Sequence, residues 1–258
     1  MAAAAVTAVR VLVPVLLLAL ARGVGSAPAT PVEFTFTGFA RENVTTSGAA
    51  VTSAGLLQLT NATNWVTPPR ARRSPSPTFV AAILPRYPDA HGHGLAFALA
   101  PSAAGPARAV AGKYLGLFNT SDNVGNGTTS QVVAVEIDTA LDAEFDDIND
   151  NHVGVDVHGL KSVASKSAGS VDVALASGSS CSRRAQAARP LVSCEVNLSS
   201  AVADQTYVGF SAANGAASSS HYVLGWSFRS AAAARRTSMS KLPRLPPPSG
   251  HKKATELP

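Results

Sequence analysis

Short apolar runs with a two-residue period recur along most of this chain, separated by Gly, Ser, Asn and Pro. Period-two alternation is typical of a half-buried β-strand. The predicted strands are 32–39, 55–60, 78–84, 94–100, 113–118, 132–138, 152–157, 171–176, 206–212 and 221–228. No segment shows the period of an amphipathic helix, so the sequence predicts an all-β sandwich or barrel. FTFTGF (34–39) and GWSF (225–228) alternate as neighbouring strands with one buried face would.

The two ends of the chain differ in composition from its β-rich part. Arg10, an apolar run too short for a membrane span and then small residues give residues 1–26 the layout of a secretory signal peptide, with a buried helix as the alternative. We expect a β domain over 27–229 and a basic, Pro-rich, disordered tail over 230–258, whose PRLPPP is a spacer or a polyproline ligand. No later stretch is apolar enough to cross a bilayer, which predicts a secreted, extracellular protein.

The formal net charge of +5 is concentrated at the ends of the chain. Residues 229–258 hold seven basic residues and one acid, and the remaining body is mildly acidic. Because this body has neither a basic stripe nor the aromatics of a base-stacking surface, we expect no nucleic-acid partner. Pro and Arg in residues 66–77 predict an exposed loop.

Two features fit an oxidising, secretory compartment. Cys181 and Cys194 are the two cysteines of the chain, and we expect them to form a disulfide rather than a zinc site. Five Asn-x-Ser/Thr sequons are candidate glycosylation sites and are expected on the surface. They lie at Asn43, Asn61, Asn119, Asn126 and Asn197.

Of the 16 acidic residues, eight lie between Glu136 and Asp156. Carboxylates this close repel one another, so the cluster must be solvated, disordered or neutralised by cations. The strand 132–138 places Glu136 and Asp138 on one face, the following loop adds further carboxylates, and His152 begins the next strand. Oxygen ligands suit Ca²⁺, and mixed oxygen and nitrogen ligands suit a transition ion such as Mn²⁺. The run therefore predicts a pair of divalent cations.

Several motifs, in order along about residues 32–246, resemble the legume lectin domain, and most closely the extracellular domain of plant L-type lectin receptor-like kinases. They are FTFTGF (34–39), YLGLFN (114–119), EIDTALDAEFDDINDNHVGVDV (136–157), YVGFSAANG (207–215) and SSHYVLGWSF (219–228). SKLPRLP (240–246) is similar to the lead into the membrane of those receptors. The resemblance implies a legume-lectin-like (concanavalin-like) jelly-roll sandwich with Ca²⁺ and Mn²⁺ beneath a sugar-binding loop cluster.

The resemblance also implies a role for each metal-site residue. Glu136 and His152 would bind Mn²⁺, Asp138 and Asp147 both ions, the Ala140 carbonyl and the Asp142 side chain Ca²⁺, and Ser162 a water on Mn²⁺. Asp146 is the alternative to Asp147, because the loop length varies in the family.

The positions that contact sugar in the family are all changed in this chain. His93, Lys113, Asp142 and Ala140 replace, in that order, an Asp, a Gly, an Asn and an aromatic residue. An ionised Asp accepts but does not donate hydrogen bonds, and Ala offers no stacking face. We therefore expect weakened monosaccharide binding, with His93, Lys113 and Asp142 contacting a carbohydrate or another extracellular ligand in the apoplast.

The chain also lacks about 30 residues of the family pattern after Gly169, which removes one or two strands. Either loops close the gap, or the chain is a defective product with an open sheet edge. Members of the family often pair through the back sheet, so a homodimer is expected, although this sheet is altered. No membrane span or kinase follows the tail in this sequence, which suggests a soluble lectin-like protein or a truncated receptor.

A secreted, non-catalytic lectin-like module is thus the leading prediction. A receptor-derived module without sugar binding and a carboxylate- or metal-dependent hydrolase are the alternatives. Against the hydrolase, the metal ions would use most of the clustered carboxylates, and no Ser-His-Asp arrangement is visible.

Overall fold

The computed structural model describes residues 32–40, 42, 44–48, 50–59, 62–66, 76–87, 90–102, 104–106, 108–122, 130–176, 191–203, 206–229 and 239–246. The expected signal peptide, the sequons at Asn43, Asn61 and Asn126, and Cys181 lie outside these residues.

The described part of the chain is built from short strands with few helical turns. The strands are β1 (Glu33–Phe36), β2 (Thr45–Ser47), β3 (Ala50–Val51), β4 (Leu57–Gln58), β5 (Ala62–Val66), β6 (Ser76–Pro85), β7 (Gly94–Ala100), β8 (Val133–Asp138), β9 (His152–Val157), β10 (Ala164–Ser167), β11 (Tyr207–Ala213) and β12 (Ser219–Arg229). The helical elements are the short α-helix α1 (Leu198–Ala201) and the 3-10 turns Gly112–Tyr114, Ala143–Phe145, Ala168–Val171 and Met239–Lys241. None of the described helices is long and apolar enough to span a membrane.

The strands form two antiparallel sheets. The seven-stranded sheet has the order β10-β9-β8-β7-β11-β5-β2. In the five-stranded sheet, β12 pairs with β6 along one side and with β1 and β4 along the other. The pairing of Phe34 with Phe228 confirms that FTFTGF and GWSF are neighbouring strands.

Aromatic side chains from both sheets meet in the core between them. Trp226 of β12 is fully buried, and its ring contacts Phe34 of β1 and Phe97 and Phe210 of the seven-stranded sheet. Burial of large aromatic side chains contributes strongly to folding, and the edge-on geometry of these contacts favours one arrangement. The alternating apolar residues of the sequence thus lock the two layers together.

Eight of the ten predicted strands are present, and two predictions are wrong. Residues 113–118 form a tight turn instead, because Leu115 and Gly116 adopt positive φ angles of 53° and 66°. The apolar side chains of this turn are buried against the outer face of the seven-stranded sheet. Residues 171–176 follow a 3-10 turn, and Asp172 at its end has a φ of 58°. Strands β2, β3, β5 and β10 were not predicted, because they are short or lack clear alternation.

Irregular segments and short helical turns after β10 also contribute to the core. The buried residues that do so are Ala168, Leu175, Ala176, Val192, Val196, Leu198 and Ala201. The expectation that loops close the gap stays a prediction, because residues 177–190 lie outside the described part of the chain. Val66 and Pro77, at the ends of the predicted exposed loop, belong to β5 and β6 instead, and residues 67–75 lie outside the described part.

Part of the predicted disordered tail packs against the outer face of the five-stranded sheet. Leu245 is buried in a cluster with Leu56, Val80, Tyr222 and Leu224, and Leu242 packs against the same cluster. The prediction of a disordered tail from residue 230 is therefore wrong for residues 239–246. The SKLPRLP motif supplies both of these leucines, which are three residues apart and contact the same cluster.

We predict that Leu245→Ala lowers the melting temperature by several degrees. Truncating a buried leucine costs about 2 kcal/mol or more, and each kcal/mol corresponds to roughly 2–4 °C in a domain of this size. Thermal denaturation followed by circular dichroism measures the shift, with Arg244→Ala, which changes an exposed neighbour, as the control. Equal melting temperatures for the two variants would contradict the packing of this segment.

Candidate metal centre and binding rim

Strands β8 and β9 carry polar side chains on their outer face at one end of the seven-stranded sheet. Asp138 pairs with His152 and Glu136 with Gly154 in the antiparallel register. The residues that alternate with them along the two strands, such as Val135 and Val153, point into the core instead. The period of two in each strand therefore brings every second residue to one place.

Glu136, Asp138 and His152 form the centre of this site. All three are buried, at 2%, 6% and 1% exposure, and their ligand atoms lie within 4.8 Å of one another. His152 Nε2 lies 3.4 Å from Glu136 Oε1. A Cβ atom at Gly154 would lie 2.3 Å from Glu136 Oε1, so any other residue here would displace the carboxylate from its observed position.

The loop after β8 turns one further carboxylate toward this centre. Asp146 has a φ of 64°, and this left-handed residue directs Asp147 inward. Asp147 Oδ1 lies 3.9 Å from His152 Nε2, and Asp147 Oδ2 accepts a 2.7 Å hydrogen bond from the Asp142 N–H. Asp146 is exposed and forms a 2.8 Å ion pair with Lys161. Of the two alternatives from the sequence, Asp147 is the one that faces the centre.

The remaining predicted metal-site residues surround the centre at different depths. Ser162 Oγ lies 2.9 Å from Glu136 Oε1. The Ala140 N–H donates a 2.6 Å hydrogen bond to Asp138 Oδ1. The Asp142 side chain contacts His93, whose Nδ1 lies 3.0 Å from Asp142 Oδ2.

The predicted ligand-contact residues lie on a rim above the centre. His93 contacts Asp142, and Lys113 contacts Glu144. Lys113 Nζ also lies over the rings of Tyr114 and Phe145, at 5.6 and 5.9 Å from their centroids. The rim is joined to the centre through the Thr139 hydroxyl, which donates a 2.7 Å hydrogen bond to the Gly92 carbonyl.

The loop between β11 and β12 closes the other side of the rim. A Cβ atom at Gly215 would lie 2.4 Å from His93 Nε2, so the glycine allows the loop to approach the imidazole. Asn214 fixes this loop, because its Oδ1 accepts a 2.7 Å hydrogen bond from the Ser219 N–H. Leu141 lies in the loop between β8 and β9, called the metal loop below, and its side chain is 61% exposed near these charged pairs.

Asp156 is a site residue that was not assigned a role from the sequence. It is fully buried on the same face of β9 as His152, and its Oδ1 lies 2.8 Å from Ser162 Oγ. The signal for it is the strand period, because His152, Gly154 and Asp156 are two residues apart.

Residues 31–244 match the sequence model of the legume lectin domain. The chain belongs to the legume lectin family.

Its relatives include the L-type lectin-domain containing receptor kinases SIT2 of Oryza sativa subsp. japonica and IV.1 of Arabidopsis thaliana. Each is 38% identical to this chain, over 279 and 240 aligned residues that cover 90% and 76% of it. The alignments cover only 41% and 34% of the two receptor kinases, so the chain spans well under half the length of these relatives. The resemblance to lectin receptor kinases that the sequence predicts is thereby confirmed.

Solved legume lectins share the fold. Lectin II from Ulex europaeus aligns with a TM-score of 0.58 at 23% identity over 76% of this chain and 97% of its own. Lectin I-B4 from Griffonia simplicifolia, in a metal-free form, has the same TM-score at 26% identity over 76% and 98%. The predicted jelly-roll sandwich is confirmed by these matches.

The buried acids of this lectin domain carry unusual proton affinities. Burial, followed by the negative charge of Glu136, raises the pKa of Asp138 to about 8. Burial would lower the pKa of His152, but contact with Glu136 and the charge of Asp138 outweigh it and raise this pKa to about 9. Burial is also the main cause that raises the pKa of Asp147, and it raises that of Asp156 well above the usual range, together with the charge of Glu136.

The residues present fit a divalent cation. Several carboxylates and one imidazole converge in a buried place. A cation of charge two offsets the burial cost and the mutual repulsion of the carboxylates, and mixed oxygen and nitrogen ligands suit a transition ion. Among the described residues, this is the one group of His, Cys, Asp and Glu with such spacing.

We predict that, in a chelator, the melting temperature falls as the pH rises from about 5 to 9. Asp138 and His152 have ordinary pKa values of 3.8 and 6.5, and the fold raises them to about 8 and about 9. The folded chain therefore holds protons that the unfolded chain has released, and this stabilisation is lost as the pH passes the raised values. Differential scanning fluorimetry in EDTA measures the trend. Asp138→Asn, which does not titrate, flattens the curve, and a melting temperature that rises with pH would contradict the prediction.

Proposed function

We propose that this chain is a secreted, metal-dependent carbohydrate-binding module. The observation that carries the proposal is the buried convergence of Glu136, Asp138 and His152 directly beneath a rim of loops. Membership of the legume lectin family supports a binding role at this rim.

The residues around the centre divide between two cation positions in this proposal. Glu136, Asp138, Asp147 and His152 would hold Mn²⁺, with Ser162 beside its water. Asp138, Asp147, the carbonyl of Ala140 and the side chain of Asp142 would hold Ca²⁺, whose preference for oxygen ligands these groups meet. The bound ions would fix the loop between β8 and β9, and a fixed loop loses less conformational entropy when a ligand binds.

The rim suggests a narrower ligand range than that of an ordinary lectin. His93 Nδ1 and Asp142 Oδ2 are hydrogen-bonded at 3.0 Å, and Lys113 forms an ion pair with Glu144. A ligand must replace these contacts with equivalent hydrogen bonds, because unpaired polar groups are costly. Leu141 offers an exposed apolar surface next to them.

The same contacts favour a second candidate function. A rim whose charged side chains already pair with one another also suits a receptor-like module that binds metal but no monosaccharide. The hydrolase alternative has less support, because a glycosidase needs two carboxyl groups that face the substrate. Here the buried carboxyl groups lie beneath the loops, and Glu144 on the rim is paired with Lys113.

Surface features agree with an exported protein as part of the proposal. Asn197 is exposed just before α1, and Asn119 is partly exposed, as their proposed glycosylation requires. Cys194 is partly buried and forms no disulfide within the described residues, which do not include Cys181, so their pairing stays a prediction. A homodimer likewise stays a prediction.

We predict that Ca²⁺ and Mn²⁺ together raise the melting temperature of the chelated protein and that Asp138→Asn loses this response. An ion that binds only the folded state at 100 times its Kd stabilises by about 2.7 kcal/mol. Metal analysis and thermal denaturation measure the effect. Asp150→Asn, which changes an exposed acid of the same loop, serves as the matched control and keeps the response.

A glycan array with the metal-loaded protein then separates the two candidates. Signals that disappear in EDTA support carbohydrate binding. A silent array from a protein that binds metal normally supports the module without sugar binding, whereas wild-type protein that takes up neither ion contradicts metal dependence.

A further inference from the structure

Asp156 lies on the outer face of β9, within the site but beyond the residues that would bind the cations. It is 0% exposed and pairs in register with Ala134 of β8. One of its oxygens, Oδ2, is buried, and no N–H or hydroxyl group of the described residues donates to it. The Asp156 carboxyl group also contacts that of Glu136. A buried carboxyl group without full hydrogen bonding is destabilising, so its presence calls for a physical reason.

Ser162 connects Asp156 to the centre. Its Oγ lies 2.8 Å from Asp156 Oδ1 and 2.9 Å from Glu136 Oε1, within hydrogen-bond distance of both carboxyl groups. Because the hydroxyl carries one hydrogen, it bridges them by donating to one carboxyl group and accepting from the other. A Cβ atom at Gly154 would lie 2.1 Å from this hydroxyl, and the glycine therefore leaves the bridge open. Asp156 itself is not among the side chains whose ligand atoms lie within 4.8 Å of one another.

We propose that Asp156 is a positioning residue for the inner cation site. Through Ser162 it holds the Glu136 carboxyl group in the orientation in which Glu136, Asp138 and His152 bind a divalent cation together. Residues that orient metal ligands by hydrogen bonds commonly change metal affinity by 10- to 100-fold. This inference rests on the metal dependence of the proposed function.

Two substitutions separate positioning from the other roles that a buried Asp has. Asp156→Asn keeps the shape and offers an amide N–H that can donate to Ser162 Oγ, which leaves the hydroxyl free to donate to Glu136, but it removes the carboxylate. Asp156→Leu keeps a similar volume and removes every hydrogen bond. If Asp156 were a direct ligand, both variants would lose metal affinity. If it is a positioning residue, only the Leu variant loses metal affinity.

The experiment measures Mn²⁺ and Ca²⁺ affinity by isothermal titration calorimetry on the full chain, with the melting temperature of each variant in EDTA. We expect Asp156→Asn to bind Mn²⁺ much as the wild type does and Asp156→Leu to bind it about 10- to 100-fold more weakly. Asp146→Asn, at the exposed acid paired with Lys161, is the control for the loss of one acidic residue and leaves the affinity unchanged. A purely structural role would lower the melting temperature in EDTA and leave the affinity of the folded protein unaltered.

Three results would overturn the proposal. Wild-type affinity in the Leu variant would show that the bridge is not needed. Equal losses in the Asn and Leu variants would show that the carboxylate itself is needed. Wild-type protein that binds neither ion would remove the proposed metal dependence together with this inference, whereas the first two results leave that dependence standing. If the Leu variant does not fold, Asp156→Ala takes its place, and the Asn variant must still keep its affinity.

Discussion

The register between β8 and β9 places Glu136, Asp138 and His152 together in a part of the protein that water does not reach. Like charges at such distances repel strongly when they are buried, so the fold must either hold protons there or bind a cation. The raised pKa values of Asp138 and His152 show that protons are held there when no cation is bound. The mixed set of oxygen and nitrogen ligands suits the binding of a cation instead. The loops of the rim are built on this pair of strands.

The rest of the sandwich keeps that register rigid. The aromatic contacts around Trp226 join the two sheets beneath the site, and β7 continues the sheet beside β8. On the outer face, the turn that contains Lys113 and Tyr114 covers the sheet next to the metal loop, where Tyr114 packs against Phe145. Apolar residues of irregular segments, such as Leu175 and Val196, complete the same core.

The period of two made most strands and the central site predictable, because Glu136 and Asp138 must share a face wherever their strand lies. Other features depend on contacts that local pattern does not encode. Residues 113–118 alternate like a strand, yet positive φ angles at Leu115 and Gly116 fold them into a cover for the sheet. The choice of Asp147 over Asp146 depends likewise on one left-handed residue. His93 and Asp142 are 49 positions apart, so each could be proposed as a site residue from the sequence, but their contact could not be predicted.

The segment 239–246 affects how two copies of this lectin domain can associate. Leu242 and Leu245 lie across the outer face of the five-stranded sheet, over Val80 and Leu224. A second molecule that approached this face would meet the chain's own leucines before it reached the strands. Back-to-back assembly through this surface therefore has to include these residues in the interface or first lift them away, which places self-association in competition with the protein's own C-terminal segment.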